Sequence, residues 1–184
     1  MTCCIAKRDN IQKGFWIGAD SQVTYGNNSF GFDTNKWSPF KYQKNKTGFV
    51  GFAGHLIVYQ RIIQEIERNF PTKSMTCVGD FLDMVDCALE KSKKAESEGK
   101  SELEYQLLLI MNKKLYSVNG DRAVFECPDD YISIGAGQSF ALGACTAGDL
   151  LGENIEDCID LGLKSAIKYC LDCGGEAKIK FVKD

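Results

Sequence analysis

The 184 residues are 44% hydrophobic and 26% charged, which fits one compact domain spanning residues 1–184. The 22 Lys and Arg against 25 Asp and Glu give a formal charge of -3, and no basic stripe interleaved with aromatics occurs, which argues against nucleic-acid binding. No apolar run approaches the ~20 residues of a membrane span, and no basic segment precedes a long apolar core at the N-terminus, so a cytoplasmic protein is expected. The 9 Cys are an odd number in a chain long enough to fold on its own core, and are expected to be mostly reduced and partly buried.

In chain order, residues 2–7 and 14–19 predict two adjacent strands, an N-terminal hairpin joined by a polar connection. Residues 25–34, rich in Gly, Asn, Ser and Asp, predict a loop, and residues 36–42 a further strand. Residues 47–54 are small and apolar and predict a buried strand, whose Gly residues let another backbone or a ligand come close. Leu56, Tyr59, Ile62, Ile63 and Ile66 recur at helical spacing, ending before Pro71. A second helix around Phe81 to Leu89 runs into the charged stretch 91–99, read as its solvated end. Strands follow at 105–111, 114–118, 123–126 and 131–134, then helices at 140–151 and 155–171 and a closing strand at 178–182. Helix pairs between groups of strands favour stacked layers with antiparallel sheets over a doubly wound parallel sheet.

Several motifs carry little chemistry. The single His, His55, leaves multi-histidine zinc sites and Ser-His-Asp or Cys-His hydrolase sites without support, and its place after a Gly-rich strand fits a surface or capping role. Gly135-Ala136-Gly137 lacks the third Gly and the acidic partner of a dinucleotide fingerprint and reads as a tight strand-to-helix turn. Cys170-Leu171-Asp172-Cys173 is one CxxC without a partner pair, so structural thiols are favoured. Cys3 and Cys4 face opposite sides of a strand.

Thr2 carries more. With Met1 removed, it would present a hydroxyl together with a free amine, a nucleophile bearing its own base. A Lys nearby would favour the free-base amine, and an acidic residue would orient that Lys. Asp20, at the end of the second strand, and Lys36, at the start of the third, can approach Thr2 if all three strands share a sheet.

On Thr2, Gly18-Ala19-Asp20-Ser21-Gln22-Val23-Thr24, Asn35-Lys36-Trp37, Gly51-Phe52-Ala53-Gly54 and Ile132-Ser133-Ile134-Gly135-Ala136-Gly137, the chain resembles the HslV peptidase and proteasome β-subunit family. These five pieces lie in order at compatible spacings. The resemblance implies an α+β fold, the four-layer αββα sandwich of two antiparallel sheets flanked by helix pairs that defines N-terminal nucleophile hydrolases. It implies Thr2 as nucleophile, its amine as general base, Lys36 tuning that amine, Asp20 as the partner of Lys36, and Gly51 N–H as oxyanion donor, with the missing Gly51 side chain letting substrate backbone lie close. It further implies a monovalent cation, sodium, on the backbone carbonyls of Ile167, Cys170 and Cys173, with no cofactor for the chemistry. The implied assembly is a homo-oligomeric ring that receives unfolded protein or peptides from a ring-shaped ATPase unfoldase.

Two departures bear on activity. Ala136 stands where the family usually has a Ser, and neither Ser133 nor Ser139 is at the matching position. With Met1 attached, Thr2 has an amide in place of an amine. They motivate the alternative of a catalytically silent assembly subunit, and an N-terminal nucleophile hydrolase acting on small amides is a third reading.

Overall fold

A computed structural model describes residues 2–25, 28–31, 36–43, 46–69, 75–95, 105–127 and 130–183. Met1, Asn35, Pro71, the end of the charged run at 96–99 and parts of the expected loop at 25–34 lie outside them. The order is β1 (Cys4–Asp9), β2 (Gly14–Asp20), β3 (Gln22–Tyr25), β4 (Asn28–Gly31), β5 (Trp37–Tyr42), β6 (Lys46–Gly54), α1 (Leu56–Asn69), α2 (Val78–Ala95), β7 (Tyr105–Met111), β8 (Lys114–Asn119), β9 (Val124–Glu126), β10 (Ile132–Ile134), α3 (Gln138–Leu151), α4 (Ile155–Tyr169) and β11 (Ala177–Lys183).

The strands form two main sheets, β10-β1-β2-β11 and β5-β6-β7-β8-β9, both antiparallel throughout. Three apolar clusters hold the layers. Ile5 and Cys3 pack under α3 and α4 with Cys145, Ile159 and Leu163. Cys4, Phe15, Ile17, Trp37, Leu108 and Ile134 fill the space between the sheets, and Val50, Phe52, Leu107 and Leu109 pack under Ile62, Phe81 and Val85 of α1 and α2. The result is the expected four-layer αββα sandwich.

Because each sheet is covered on both faces, its inner strands read as continuous apolar runs instead of alternating ones. Gly48 to Ala53 are buried without a break, which is why that stretch is small and apolar throughout. The exposed edge strand β11 instead carries Lys178, Lys180 and Lys183, charges that discourage pairing with another chain. Asp9 fixes the first hairpin by accepting from Ile11 N–H at 2.9 Å and Gln12 N–H at 2.8 Å. Asn112 and Lys113, at φ 53° and 61°, form the tight turn that joins β7 to β8.

The expected loop at 25–34 is corrected: Gln22–Tyr25 and Asn28–Gly31 pair as a separate two-stranded ribbon. Its Asn, Ser and Gly content hides the pairing, since strand propensity is mostly a response to a half-buried surface. No described helix is long and apolar enough to cross a membrane.

Candidate active site

Asp20, the last residue of β2, is the hub of the site. Its Oδ1 accepts from Lys36 Nζ at 2.8 Å and from the Cys3 N–H at 2.8 Å, and its Oδ2 from the Gly174 N–H at 3.1 Å. The Asp20 N–H in turn donates to Cys3 C=O at 3.1 Å. The Lys36 and Asp20 side chains are 9% and 0% exposed, so the ion pair is withdrawn from water. A buried carboxylate persists as an anion only when paired and hydrogen-bonded, and here one ammonium and two peptide N–H groups meet that need.

The expectation that Thr2, Asp20 and Lys36 reach each other within one sheet is corrected. Thr2 leads into β1 and Asp20 ends β2 of the first sheet, whereas Lys36 immediately precedes β5 of the second. Lys36 therefore crosses the gap between layers, and its backbone is fixed there: its carbonyl accepts from the Phe52 N–H at 3.0 Å and from Cys4 Sγ at 3.6 Å.

Thr2 precedes β1 and is 6% exposed. The turn between β10 and α3 grips its backbone. The Gly137 N–H donates to Thr2 C=O at 3.4 Å, and Gly135 passes so close that a Cβ there would lie 2.1 Å from that oxygen. Gly135 also has φ +91°, a conformation that glycine alone adopts without strain. The turn is tied to the second sheet by the Gly135 N–H, which donates to Gln106 Oε1 at 2.8 Å. Ala136, between the two glycines, is exposed. Ser133 does not take the role of the family Ser, because its hydroxyl donates to Cys4 C=O at 2.9 Å inside the sheet, and Ser139 is exposed in the first turn of α3.

Gly51 lies in the middle of β6, paired with Trp37 on one side and Leu108 on the other. The expected steric role is corrected: a Cβ at Gly51 would meet Leu108 Cβ at 3.4 Å and Cys4 Cβ at 3.6 Å, pointing between the sheets at ordinary contact distance.

Cys3 and Cys4 point to opposite faces, Cys3 toward α3 and α4 and Cys4 between the sheets. Burial pushes the Cys3 thiol up to about 12, against the lowering hydrogen bond with Ser133, and raises the Cys4 thiol further. Neither is a ready thiolate nucleophile. His55 is exposed, and its carbonyl accepts from the Val58 N–H at 3.0 Å at the start of α1, in keeping with a capping position.

Ile167 lies in the last turn of α4, and Cys170 and Cys173 in the turn that follows. Among the described residues no group of three or more His, Cys, Asp or Glu is placed to hold a metal ion. The donor set therefore reduces to backbone carbonyls, and the Cys170 carbonyl already accepts from the Cys173 N–H at 3.1 Å. A carbonyl has a second lone pair, so the Cys170 oxygen keeps capacity for one more partner. All nine cysteines are free thiols.

Further residues, not anticipated as members of the site, complete it. Besides Gly174 and Gln106, Ser21 Oγ accepts from the Glu176 N–H at 2.8 Å, and the Gln22 N–H donates to Gly174 C=O at 3.0 Å. The 170–176 segment is thereby laced to the strand end that carries Asp20. The Gly174-Gly175 doublet signals a special turn there, but not its partner 154 residues away.

No protein-family model matches the chain. In sequence it is 29% identical over 173 residues to an ATP-dependent protease subunit HslV of Campylobacter curvus, covering 91% of this chain and 89% of that one. A similar subunit from Campylobacter fetus is 29% identical over 175 residues, covering 92% and 89%. In structure, HslV from Trypanosoma brucei superposes with a TM-score of 0.69 at 19% identity over 100% of both chains. Anbu, an ancestral beta-subunit from Yersinia bercovieri, gives 0.74 at 18% identity over 98% of this chain and 81% of that one. The chain is thus a sequence relative of the HslV peptidase subunits, carrying the fold of the N-terminal nucleophile hydrolases.

Proposed function

We propose that the chain is a threonine-type endopeptidase subunit whose nucleophile is Thr2, released by cleavage of the Met1–Thr2 bond. The observation that carries this reading is the Asp20 carboxylate, which joins the Lys36 ammonium to the peptide N–H of Cys3, the residue following Thr2, at 2.8 Å each. An ammonium held this near lowers the affinity of the Thr2 amine for a proton, below its ordinary pKa of about 7.7–8.0. The free amine takes the proton as Thr2 Oγ attacks the scissile carbonyl, and passes it to the departing amine of the substrate. Water then cleaves the acyl ester and regenerates Thr2.

Gly51 serves as oxyanion donor only if its N–H is freed from the ladder in which it lies between Trp37 and Leu108. A sodium ion on the carbonyls of Ile167, Cys170 and Cys173 would supply local positive charge and stiffen the segment that holds Asp20. The HslV relatives are named as subunits of an ATP-dependent protease, which supports a homo-oligomeric ring fed with unfolded chains by an ATPase, in the cytoplasm.

The test is peptide hydrolysis by protein whose intact mass confirms loss of Met1. Thr2→Ala is expected to remove hydrolysis, and Lys36→Ala to lower it by about 10²-fold or more, the usual scale of a lost acid–base device. Full activity in either variant defeats the assignment.

The silent assembly subunit remains the second reading, favoured by Ala136 and by Ser133 being engaged within the sheet. Assembled particles that retain Met1 would support it.

A further inference from the structure

The segment that braces Asp20 also holds the cysteine pair Cys170 and Cys173, whose thiols the proposed chemistry does not use. Cys170 ends α4 and is half-buried, whereas Cys173 is buried against the site. The Cys173 N–H donates to Cys170 C=O at 3.1 Å, a turn that brings the two Cα atoms within about 7 Å. A disulfide needs a Cα separation of about 4.4–6.8 Å, which lies within the span that such a turn sets.

Cys173 is wedged between both supports of Thr2. Its Sγ would lie 2.7 Å from a Cβ at Gly137, the residue whose N–H reaches Thr2 C=O, and the residue after it is Gly174, whose N–H holds Asp20 Oδ2. We propose that Cys170 and Cys173 form a reversible intramolecular disulfide that switches the Thr2 site by drawing Gly174 away from Asp20.

The oxidant is a small-molecule disulfide of the glutathione class. The Cys170 thiolate attacks one of its sulfurs and releases one small thiol. Cys173, whose thiol is raised by burial and so makes this the slow step, loses its proton to solvent, attacks Cys170 Sγ in the mixed disulfide and releases the second. Two protein thiols are oxidised while one small disulfide is reduced to two thiols, with no net gain or loss of protons. The sulfurs must close to about 2.05 Å. That contraction is transmitted through one residue to Gly174. In a reducing compartment such a bond is transient and responsive rather than structural.

This inference rests on the proposed peptidase for its activity readout, so the experiment has two arms. Full-length protein lacking Met1 is titrated with oxidised glutathione, and peptide mapping follows the 170–173 cross-link. Activity is compared before and after oxidation within wild type and within Cys170→Ser. The cross-link is expected to lower wild-type hydrolysis at least tenfold, with recovery in dithiothreitol, and the oxidised-to-reduced ratio of Cys170→Ser is expected to stay near one.

Should the reduced protein show no hydrolysis, the peptidase reading fails, and amide hydrogen exchange carries the test alone. The Cys3 and Gly174 amides are then expected to exchange at least tenfold faster after cross-linking. Absence of the 170–173 cross-link, a Cys3–Cys173 bond in its place, or a cross-link that leaves both activity and exchange unchanged overturns the switch.

Discussion

Two Lys–Asp pairs of nearly equal length, Lys36–Asp20 and Lys7–Asp149, lie in contrasting settings. Lys36 and Asp20 meet at 2.8 Å with side chains 9% and 0% exposed, and Lys7 and Asp149 at 2.7 Å with side chains 16% and 37% exposed. Both pairs have auxiliary partners. Asp20 collects two peptide N–H groups, whereas Asp149 collects the Tyr131 hydroxyl at 3.0 Å, and Lys7 Nζ sits 4.0 Å above the centre of the Tyr131 ring. Distance does not separate them, but dehydration does. A buried pair repays its desolvation only through excellent geometry and additional hydrogen bonds, and it is often no more stabilising than an apolar replacement. Placing such a pair beside the residue that follows Thr2 is therefore better explained by chemistry than by stability, while the outer pair is an ordinary fastening of β1 to α3.

Breaking the inner pair gives the largest expected effect. Lys36→Met leaves Asp20 as a buried anion without its ammonium, and the expected loss is about 3–5 kcal/mol of folding stability. Denaturant unfolding measures it. Asp20→Asn in the Lys36→Met background removes the stranded charge while its single amide oxygen keeps an acceptor for one of the Cys3 and Gly174 N–H groups, and is expected to recover part of the loss. A double variant less stable than Lys36→Met would show that the two peptide N–H groups, and not the ion pair, dominate the site.

Next in size are the supports of the Thr2 backbone. Gly135→Ala places a Cβ 2.1 Å from Thr2 C=O at φ +91°, so the turn has to move; the backbone conformation alone costs on the order of 1–3 kcal/mol. Gly51→Ala, whose Cβ meets nothing closer than 3.4 Å, is expected to fold with less penalty than Gly135→Ala. Gln106→Leu leaves the Gly135 N–H without its acceptor, at about 1–3 kcal/mol if water does not replace it. Comparing thermal midpoints of the three variants checks the ranking.

The inner site was partly legible in sequence for a physical reason. Thr2, Asp20, Lys36 and the turn at 135–137 sit at the ends of strands whose apolar content marks them, so their order and spacing carry the resemblance. The sheet assignment of Lys36 was not legible, because spacing along the chain cannot tell a neighbour in one sheet from a neighbour across the gap between two. Gln106 was equally hidden: a Gln within Tyr105–Met111 reads as one polar position of a strand, and its partner lies 29 residues on. The β3–β4 ribbon escaped because polar, Gly-containing strands lack the apolar period that betrays buried ones. The αββα layering was visible because paired helices between groups of strands leave few ways to cover both sheets.

The outer pair gives the smallest effect and the clearest pH signature. Burial raises the Asp149 carboxyl, but the hydrogen bonds from Lys7 and Tyr131 and the Lys7 charge outweigh it, so the group lies below its ordinary value. A carboxyl depressed in the folded state contributes stability that is fully present above its unfolded pKa of about 3.9 and is lost as pH falls through the folded value. Lys7→Met is therefore expected to cost no more than about 1 kcal/mol at neutral pH, the scale of partly exposed pairs. The gap between Lys7→Met and wild type in denaturant midpoint should narrow on acidification below about pH 4, where Asp149 begins to protonate in the unfolded chain. A gap as wide at pH 2 as at pH 7 would mean that Lys7 acts through its contact with the Tyr131 ring, which does not titrate in that window, and not through the carboxylate.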